Sequence, residues 1–247
     1  MARVSVIMPV KNAAPFLKAA LAGVFAQTFA DWRLIAVVDP LSDDGSEAIL
    51  RGVRDPRVRA VRGQTPGAGH SRNLALSLAG NDSRWTAFLD ADDVWLPEKL
   101  ARQMDFMYSG GFAMSATAFR RIDENGQGGG RLLKPPEKVD FKRLLKQNCL
   151  CCSSVMLDRR RIPEPSFREI GCEDFDLWLR LLRQGFICGG LREDLVRYRV
   201  VGNSRGSSRW RTVKESWDIL KNELGRWPAV ARMPEFLARA ALKHARW

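Results

Sequence analysis

The sequence has only two histidines among its 247 residues, and its five cysteines lack the spacing of a zinc-binding motif. Zinc modules typically carry C-x₂-C pairs with matched partners, and these are missing here. An odd number of thiols in a chain of this length also argues against a disulfide framework. We therefore interpret the cysteines as small buried hydrophobic residues in a reducing compartment. They are Cys149, Cys151, Cys152, Cys172 and Cys188.

Long apolar runs are also absent. No uninterrupted run approaches the roughly 20 residues that a membrane-spanning helix needs. The apolar stretch that follows Arg3 is too short for the apolar region of a signal peptide. These absences predict a cytoplasmic protein. The composition, 45% hydrophobic and 28% charged, is that of a globular chain with one α/β domain and an appendage, or two small domains.

The charge is strongly positive, with 40 Lys and Arg against 28 Asp and Glu and a net charge of +12. Such a surface suits nucleic acid, an anionic membrane or a phosphorylated substrate, and it is also found on generic soluble proteins. The chain has no aromatic-and-basic strand motif and no zinc module. We therefore expect no nucleic-acid partner.

In the first part of the chain, short apolar runs alternate with helical patterns, and this order predicts an α/β fold with a doubly wound, mostly parallel sheet. In such sheets ligands bind beyond the carboxyl ends of the strands, here after Met8, Val38 and Leu89. The expected strands are 4–8, 34–38, 58–61, 85–89 and 155–157. The expected helices are 15–25, 46–53, 71–79, 97–108 and 175–183, with a flexible loop at 67–70 and a Gly-rich turn at 125–130.

The strongest local signal is the acidic segment Asp90-Ala91-Asp92-Asp93, which follows an apolar strand. Carboxylates packed this closely repel one another, and a divalent cation such as Mg²⁺ or Mn²⁺ would offset that repulsion. The segment could equally be a solvated turn in which Asp93 caps the next helix. From these residues alone the two interpretations are evenly balanced.

Two other polar segments are candidates for a site. Glu173 and Asp174 stand at the start of a predicted helix, where acids complement the helix dipole or could act as a general base. Arg72 follows a glycine-containing segment and could reach a diphosphate. His70 is interpreted as a polar loop residue.

Taken together and in order, these segments resemble the inverting GT-A glycosyltransferases of family 2. The resemblance covers residues 4 to about 204. It rests on VSVIMPVKN, FAQTFADW, VVDPLSDDGS, GAGHSRNLAL, AFLDADDVWLPEKL, CEDFDLWLRLLRQG and YRVVGNS. It implies a Rossmann-like sheet flanked by helices, and it favours the metal-site interpretation of the acidic segment.

The resemblance also implies roles for individual residues. Asp92 would bind Mn²⁺ or Mg²⁺, with Asp90 leaning toward the ribose or serving as a second metal contact. The donor would be a nucleotide sugar, most naturally a UDP-sugar. The residues expected to bind the donor nucleotide are Pro9, Val10, Asn12, Asp39, Arg72, Asp90 and Ala91.

On the acceptor side, the resemblance assigns Asp174 as the base that takes a proton from an acceptor hydroxyl. Glu173 would orient the acceptor or the base. Trp178 and Arg180 would lie on the acceptor side, with Trp178 lining it or supporting the base. The implied reaction is a single displacement with inversion, and the implied acceptor is a glycan, a lipid-linked sugar or another cell-surface polysaccharide precursor.

Three positions depart from the family pattern. Lys11 stands where an aromatic residue is usual, Pro40 replaces an acid, and Val201 replaces a histidine. These changes are the basis of an alternative hypothesis, in which the chain is a catalytically silent GT-A-like binding or scaffold protein. A donor assay distinguishes the two hypotheses.

The chain changes character at its end, and we predict a GT-A domain at 1–205 and a basic helical extension at 206–247. The extension contains nine Lys or Arg, four Asp or Glu and four Trp. It could contact the inner face of the membrane peripherally, or its helices could pack on the catalytic domain.

Overall fold

A computed structural model describes residues 4–80, 83–128, 130–202 and 209–224. The strands are β1 Val4–Val10, β2 Trp32–Val38, β3 Val58–Arg62, β4 Trp85–Phe88, β5 Val94–Trp95, β6 Met114–Ile122, β7 Lys138–Val139, β8 Val155–Asp158 and β9 Cys188–Arg199. The helices are α1 Ala14–Phe25, α2 Ser46–Arg51, α3 Ala68–Ala79, α4 Lys99–Gly110, α5 Phe141–Lys146, α6 Glu173–Arg183 and α7 Arg209–Leu224. A short 3-10 helix spans Cys152–Ser154.

The strands form one sheet in the order β3-β2-β1-β4-β8-β6-β9-β5, and β7 pairs with β9. The first four strands are parallel, as the alternation of strands and helices predicts. Strand β8 runs antiparallel to both β4 and β6, whereas β6 and β9 are parallel. The α/β fold is therefore confirmed, with a parallel half and a mixed half.

Side chains alternate between the two faces of the sheet, so each face has its own core. Ile7, Ile35 and Phe88 point toward the side that α3 and α6 cover. Met8 and Leu34, from the same strands, point toward α1 and α4. This double covering explains why the parallel strands read as continuous apolar runs.

Several predicted boundaries differ from the structure, and three of them lie near the predicted site residues. Strand β1 continues through Pro9, because its pairing with β4 ends at Ile7 and the missing N–H of Pro9 leaves no bond unmade on that side. The predicted loop at 67–70 is wrong, since α3 already begins at Ala68 after Gly67, whose φ of 123° favours glycine. Helix α6 begins at Glu173, two residues before the predicted start.

Strands β6 and β9 were not predicted, although they are the two longest strands. Strand β9 contains glycines and charges that hide any apolar alternation. Its glycines allow close packing: a Cβ on Gly190 would lie 1.9 Å from the Pro136 carbonyl oxygen. Only the neighbouring segments of the folded chain account for this composition.

Helix α7 is the described part of the predicted extension. Its Ile219 and Leu220 are buried in the same core as α6, and Arg183 of α6 donates to the Glu223 carbonyl at 3.1 Å. This segment therefore packs on the α/β domain. Residues 206–208 and 225–247 lie outside the described residues, so the domain boundary and the membrane contact stay predictions. Within the described ranges, no helix combines the length and the apolarity needed to cross a membrane.

Candidate active site

A cleft of about 1600 Å³ opens at the carboxyl ends of β1, β2 and β4. Ten of the twelve predicted site residues line it, although they come from segments far apart in the sequence. They are Pro9, Val10, Asn12, Asp39, Arg72, Asp90, Ala91, Asp92, Glu173 and Asp174. The fold therefore gathers the predicted motifs at the expected edge of the sheet.

Asp39 lies at the end of β2 and connects it to the start of α3. Its side chain is almost fully buried and accepts hydrogen bonds from the Leu41 N–H at 2.9 Å and the Gly67 N–H at 2.7 Å. Lys11 approaches Asp39 with an Nζ–Oδ1 distance of 3.9 Å. The lysine that departs from the family pattern thus places a positive charge beside the acid predicted to contact base or ribose.

Arg72 joins two of the predicted motifs. Its guanidinium donates to Glu173 Oε1 at 2.8 Å and to Asp90 Oδ1 at 2.6 Å, and its side chain is only 5% exposed. Burial alone would lower the pKa of Arg72. The neighbouring groups, Cys152 first and then the carboxylates, outweigh that effect and raise it. The arginine is therefore a fixed positive charge between the acidic strand end and helix α6.

Asp92 has no ion pair with a described residue, and its carboxylate lines the cleft. Burial, followed by the charge of Asp90, raises the pKa of Asp92 to about 6. An unpaired carboxylate beside another acid has the oxygen chemistry that Mg²⁺ and Mn²⁺ prefer. Among the described residues, no group of three His, Cys, Asp or Glu side chains could hold a metal alone.

Asp93 does not cap the helix that follows, because Glu98 occupies the N-cap of α4. Asp93 is instead fully buried and accepts hydrogen bonds from the Ser153 hydroxyl and the Arg199 N–H. Ser153 Oγ also accepts a bond from the Asp90 N–H at 3.0 Å. Hydrogen bonds from Ser153 and Arg199 to the buried Asp93 therefore fix the position of the acidic segment.

Asp174 lies in the first turn of α6 and faces the cleft. Burial raises the pKa of its carboxyl to about 6, the charge of Glu173 adds to the rise, and Arg72 opposes it. A carboxylate with such a pKa is mostly ionised at neutral pH and is a stronger base than an ordinary aspartate. The geometry suits proton abstraction from a group bound in the cleft.

The structure places neither Trp178 nor Arg180 on the surface of the cleft. Trp178 is fully buried, and its ring packs against Phe88 and Phe167, so it does not line the cleft, whereas its support of the base stays a prediction. Arg180 bonds to Asp176 at 2.8 Å and to the Ser166 carbonyl, and it does not line the cleft. The cause is helical geometry: only the first turn of α6 reaches the cleft, and the following turns enter the core.

Sequence reasoning missed two residues that hold the acidic segment. Arg199 donates to the carbonyls of Asp92, Asp123 and Glu124 at 2.8 to 2.9 Å. It belongs to the YRVVGNS motif, which could have drawn attention to it. Ser153 carries no such signal, because its role depends on a contact across 63 positions.

Comparison with known proteins decides the family. The family model described as glycosyl transferase family 2 matches residues 5–163 of the sequence. The chain belongs to glycosyl transferase family 2. The predicted resemblance is therefore confirmed, and this family 2 member is a glycosyltransferase.

Two relatives match this glycosyltransferase over most of their own length. TuaG of Bacillus subtilis, named for teichuronic acid biosynthesis, is 34% identical over 88% of this chain and 87% of its own. WfgD of Escherichia coli is 32% identical over 88% of this chain and 85% of its own. WfgD is named a UDP-Glc:α-D-GlcNAc-diphosphoundecaprenol β-1,3-glucosyltransferase.

Solved structures confirm the GT-A fold of this glycosyltransferase. Residues 1–349 of Staphylococcus aureus TarS in complex with UDP-GlcNAc superpose with a TM-score of 0.67 at 19% identity, covering 96% of this chain and 72% of that one. The mannosyltransferase PcManGT of Pyrobaculum calidifontis, in complex with GDP-Man and Mn²⁺, gives a TM-score of 0.66 at 19% identity, with coverages of 99% and 70%.

Proposed function

We propose that this family 2 member transfers a sugar from a nucleotide sugar, in the first place a UDP-sugar, to a hydroxyl of a glycan or lipid-linked acceptor. The transfer inverts the anomeric configuration and depends on a divalent metal. The observation that carries the proposal is the meeting of Arg72, Asp92 and Asp174 in one cleft. A diphosphate-binding cation, a metal-binding carboxylate and a base are the three parts that such a transfer needs.

The carboxylate oxygens of Asp92 and Asp90 are suitable ligands for a Mg²⁺ or Mn²⁺ ion. Asp92 would hold it with oxygen ligands, and Asp90 would assist from its position beside Arg72. Since two carboxylates leave most of the coordination shell open, diphosphate oxygens would complete it. When bound, the ion would offset negative charge on the departing nucleoside diphosphate. The complex of PcManGT with GDP-Man and Mn²⁺ supports this assignment by analogy of fold.

The remaining roles belong to the chain itself. Pro9, Val10, Asn12 and Asp39 form the end of the cleft assigned to the nucleotide, with Lys11 beside Asp39. Arg72 stabilises the leaving diphosphate as its charge grows. Asp174 takes the proton from the acceptor hydroxyl, and Glu173 keeps Arg72 in place next to it.

The names of relatives support inversion and the substrate classes. WfgD is named for a β-1,3 product from UDP-Glc, whose glucose is α-linked, so its named reaction inverts. TarS was solved with UDP-GlcNAc. We infer the same classes of donor and acceptor here, and no particular sugar.

A donor panel with Mn²⁺ tests the proposal. Nucleoside diphosphate release is measured with UDP-, GDP- and TDP-sugars, and the product anomer is assigned by NMR. Asp92→Ala and Asp174→Asn are expected to lose 10²-fold or more of transfer. Asp105→Asn, an exposed acid on α4, is the matched control. Wild-type turnover by both site variants would contradict the assignment, and no turnover with any donor would favour the silent scaffold.

A further inference from the structure

The far side of the cleft carries a group of cations that the proposed reaction does not use. We call them the basic wall: Arg121, Arg131, Lys134, Arg143 and Arg192. Four of them are exposed, and Arg121 is half-buried beside Tyr198. They are spread over the 72 residues from Arg121 to Arg192, so no short sequence motif contains them.

The fold assembles the basic wall from four segments. Arg121 is on β6, and Arg192 is on the neighbouring strand β9. The segment with Arg131 and Lys134 is fastened to β6 by two hydrogen bonds between Phe119 and Leu133, at 2.9 and 3.0 Å. Helix α5 then adds Arg143. Strand pairing therefore brings together the backbones of Arg121, Arg192 and the segment with Arg131 and Lys134, and β7, which pairs with β9, leads directly into α5.

Within the described residues, no ion pair joins an acid of the cleft to Arg131, Lys134, Arg143 or Arg192. Asp39 pairs with Lys11, while Asp90 and Glu173 pair with Arg72. In the described part of the chain, Arg131, Lys134 and Arg143 form no ion pair. Arg192 faces Glu137 at 3.4 Å, and both side chains are exposed. The wall thus keeps a positive charge that is available to an anion.

We propose that the basic wall binds a phosphate or diphosphate group of the acceptor. This proposal rests on the function above, and it adds the chemical class of the acceptor. The cleft of about 1600 Å³ exceeds the roughly 300–1000 Å³ of a typical small-molecule pocket, so a donor leaves room for a second ligand. Arginine forks match phosphate oxygens in geometry and charge, which neutral sugar hydroxyls would not require.

The test measures binding of two phosphate probes to the full chain by calorimetry. The donor site is first saturated with Mn²⁺ and with whichever of UDP, GDP and TDP the wild-type chain binds most tightly. Octyl diphosphate represents a lipid-linked diphosphate, and glycerophosphoglycerol represents a polymer phosphodiester. The triple variant Arg131→Ala/Lys134→Ala/Arg143→Ala is expected to bind the preferred probe about 30-fold more weakly. The probe that the wild type binds more tightly identifies the source of the phosphate.

A matched control removes the same charges elsewhere. Lys18, Arg54 and Arg59 are exposed, lie outside the cleft and have no ion pair within the described residues. The variant Lys18→Ala/Arg54→Ala/Arg59→Ala is expected to change the affinity less than threefold. Equal weakening in both triple variants would show that net charge alone attracts the probes, and the proposal would be overturned.

Two further results keep the proposal distinct from the proposed function. Raising NaCl from 50 to 500 mM should weaken the wild-type affinity for the phosphate probe, because salt screens exposed charges, whereas the affinity for octyl glucoside should not follow. If the wild type and the variant Arg131→Ala/Lys134→Ala/Arg143→Ala bind the probe equally well and the enzyme turns over its donor, the proposal for the basic wall is wrong and the proposed function is unaffected. If only the basic-wall variant loses probe binding and no donor is turned over, the phosphate site is supported and the proposed transfer reaction is contradicted.

Discussion

Arg72 donates a hydrogen bond to Glu173 at 2.8 Å across 101 residues of sequence, and both side chains are almost fully buried. The same guanidinium reaches Asp90. Two separate acidic motifs are therefore tied to one cation, and the distance between the proposed donor site and the proposed base depends on this pair.

The first prediction concerns the fork of that guanidinium. Arg72→Lys keeps the charge but cannot make both contacts, so we expect a 10- to 100-fold higher donor KM and a loss of about 1–3 kcal/mol in the free energy of unfolding. Donor kinetics and thermal melts measure the two effects. Arg84→Lys is the control, because Arg84 pairs with the buried Asp158 at 3.0 Å outside the cleft. Equal donor KM values in both variants would contradict the role of Arg72.

The second prediction concerns pH. Burial and then Glu173 raise the pKa of Asp174 to about 6, and a base acts only when ionised. At saturating Mn²⁺, kcat/KM should therefore be constant above this pKa and fall tenfold per pH unit below it. Glu173→Gln removes the repulsion, so the acid limb should move to lower pH. An acid limb that stays in place in this variant would argue against Asp174 as the base.

The third prediction concerns the hydrogen bonds that fix the position of the acidic segment. Ser153→Ala removes a donor to Asp93 and an acceptor for the Asp90 N–H, which should cost about 1–3 kcal/mol of stability. It should also raise the Mn²⁺ concentration that gives half-maximal activity. Ser154→Ala is the control, because Ser154 is equally buried but its hydroxyl donates to the Cys151 carbonyl. If both variants need the same Mn²⁺ concentration, Ser153 does not position the segment.

The fourth prediction tests the corrected position of Trp178. The indole is fully buried, and its N–H has no acceptor among the described residues. Trp178→Phe therefore removes no hydrogen bond, and the lost packing should reduce the free energy of unfolding by about 1–3 kcal/mol and leave the acceptor KM unchanged. Thermal melts and acceptor kinetics measure the two effects. If the acceptor KM rises and the stability does not change, Trp178 contacts the acceptor and the buried position is contradicted.

The sequence alone was enough to predict the parallel half of the fold and most of the candidate residues that line the cleft. Strands β1, β2 and β4 are apolar runs because both faces of the sheet are covered, and such runs are visible in one dimension. The motifs that hold Asp39, Arg72, Asp92 and Asp174 were visible too, because each motif is short and contiguous. The meeting of Asp39, Arg72 and Asp92 follows from the rule that parallel strands present their carboxyl ends at one edge. Asp174 reaches the same cleft from the first turn of α6.

Tertiary structure decided what depends on distant partners. Strands β6 and β9 pair with each other despite their charges and glycines, and this pairing builds the basic wall. Ser153 matters because folding places its hydroxyl between Asp90 and Asp93, and Trp178 is internal because α6 turns into the core after Asp174. The acidic segment Asp90-Ala91-Asp92-Asp93 was legible as a motif. Which carboxylate is paired, which faces the cleft and which is buried depended on contacts across 18 to 106 residues.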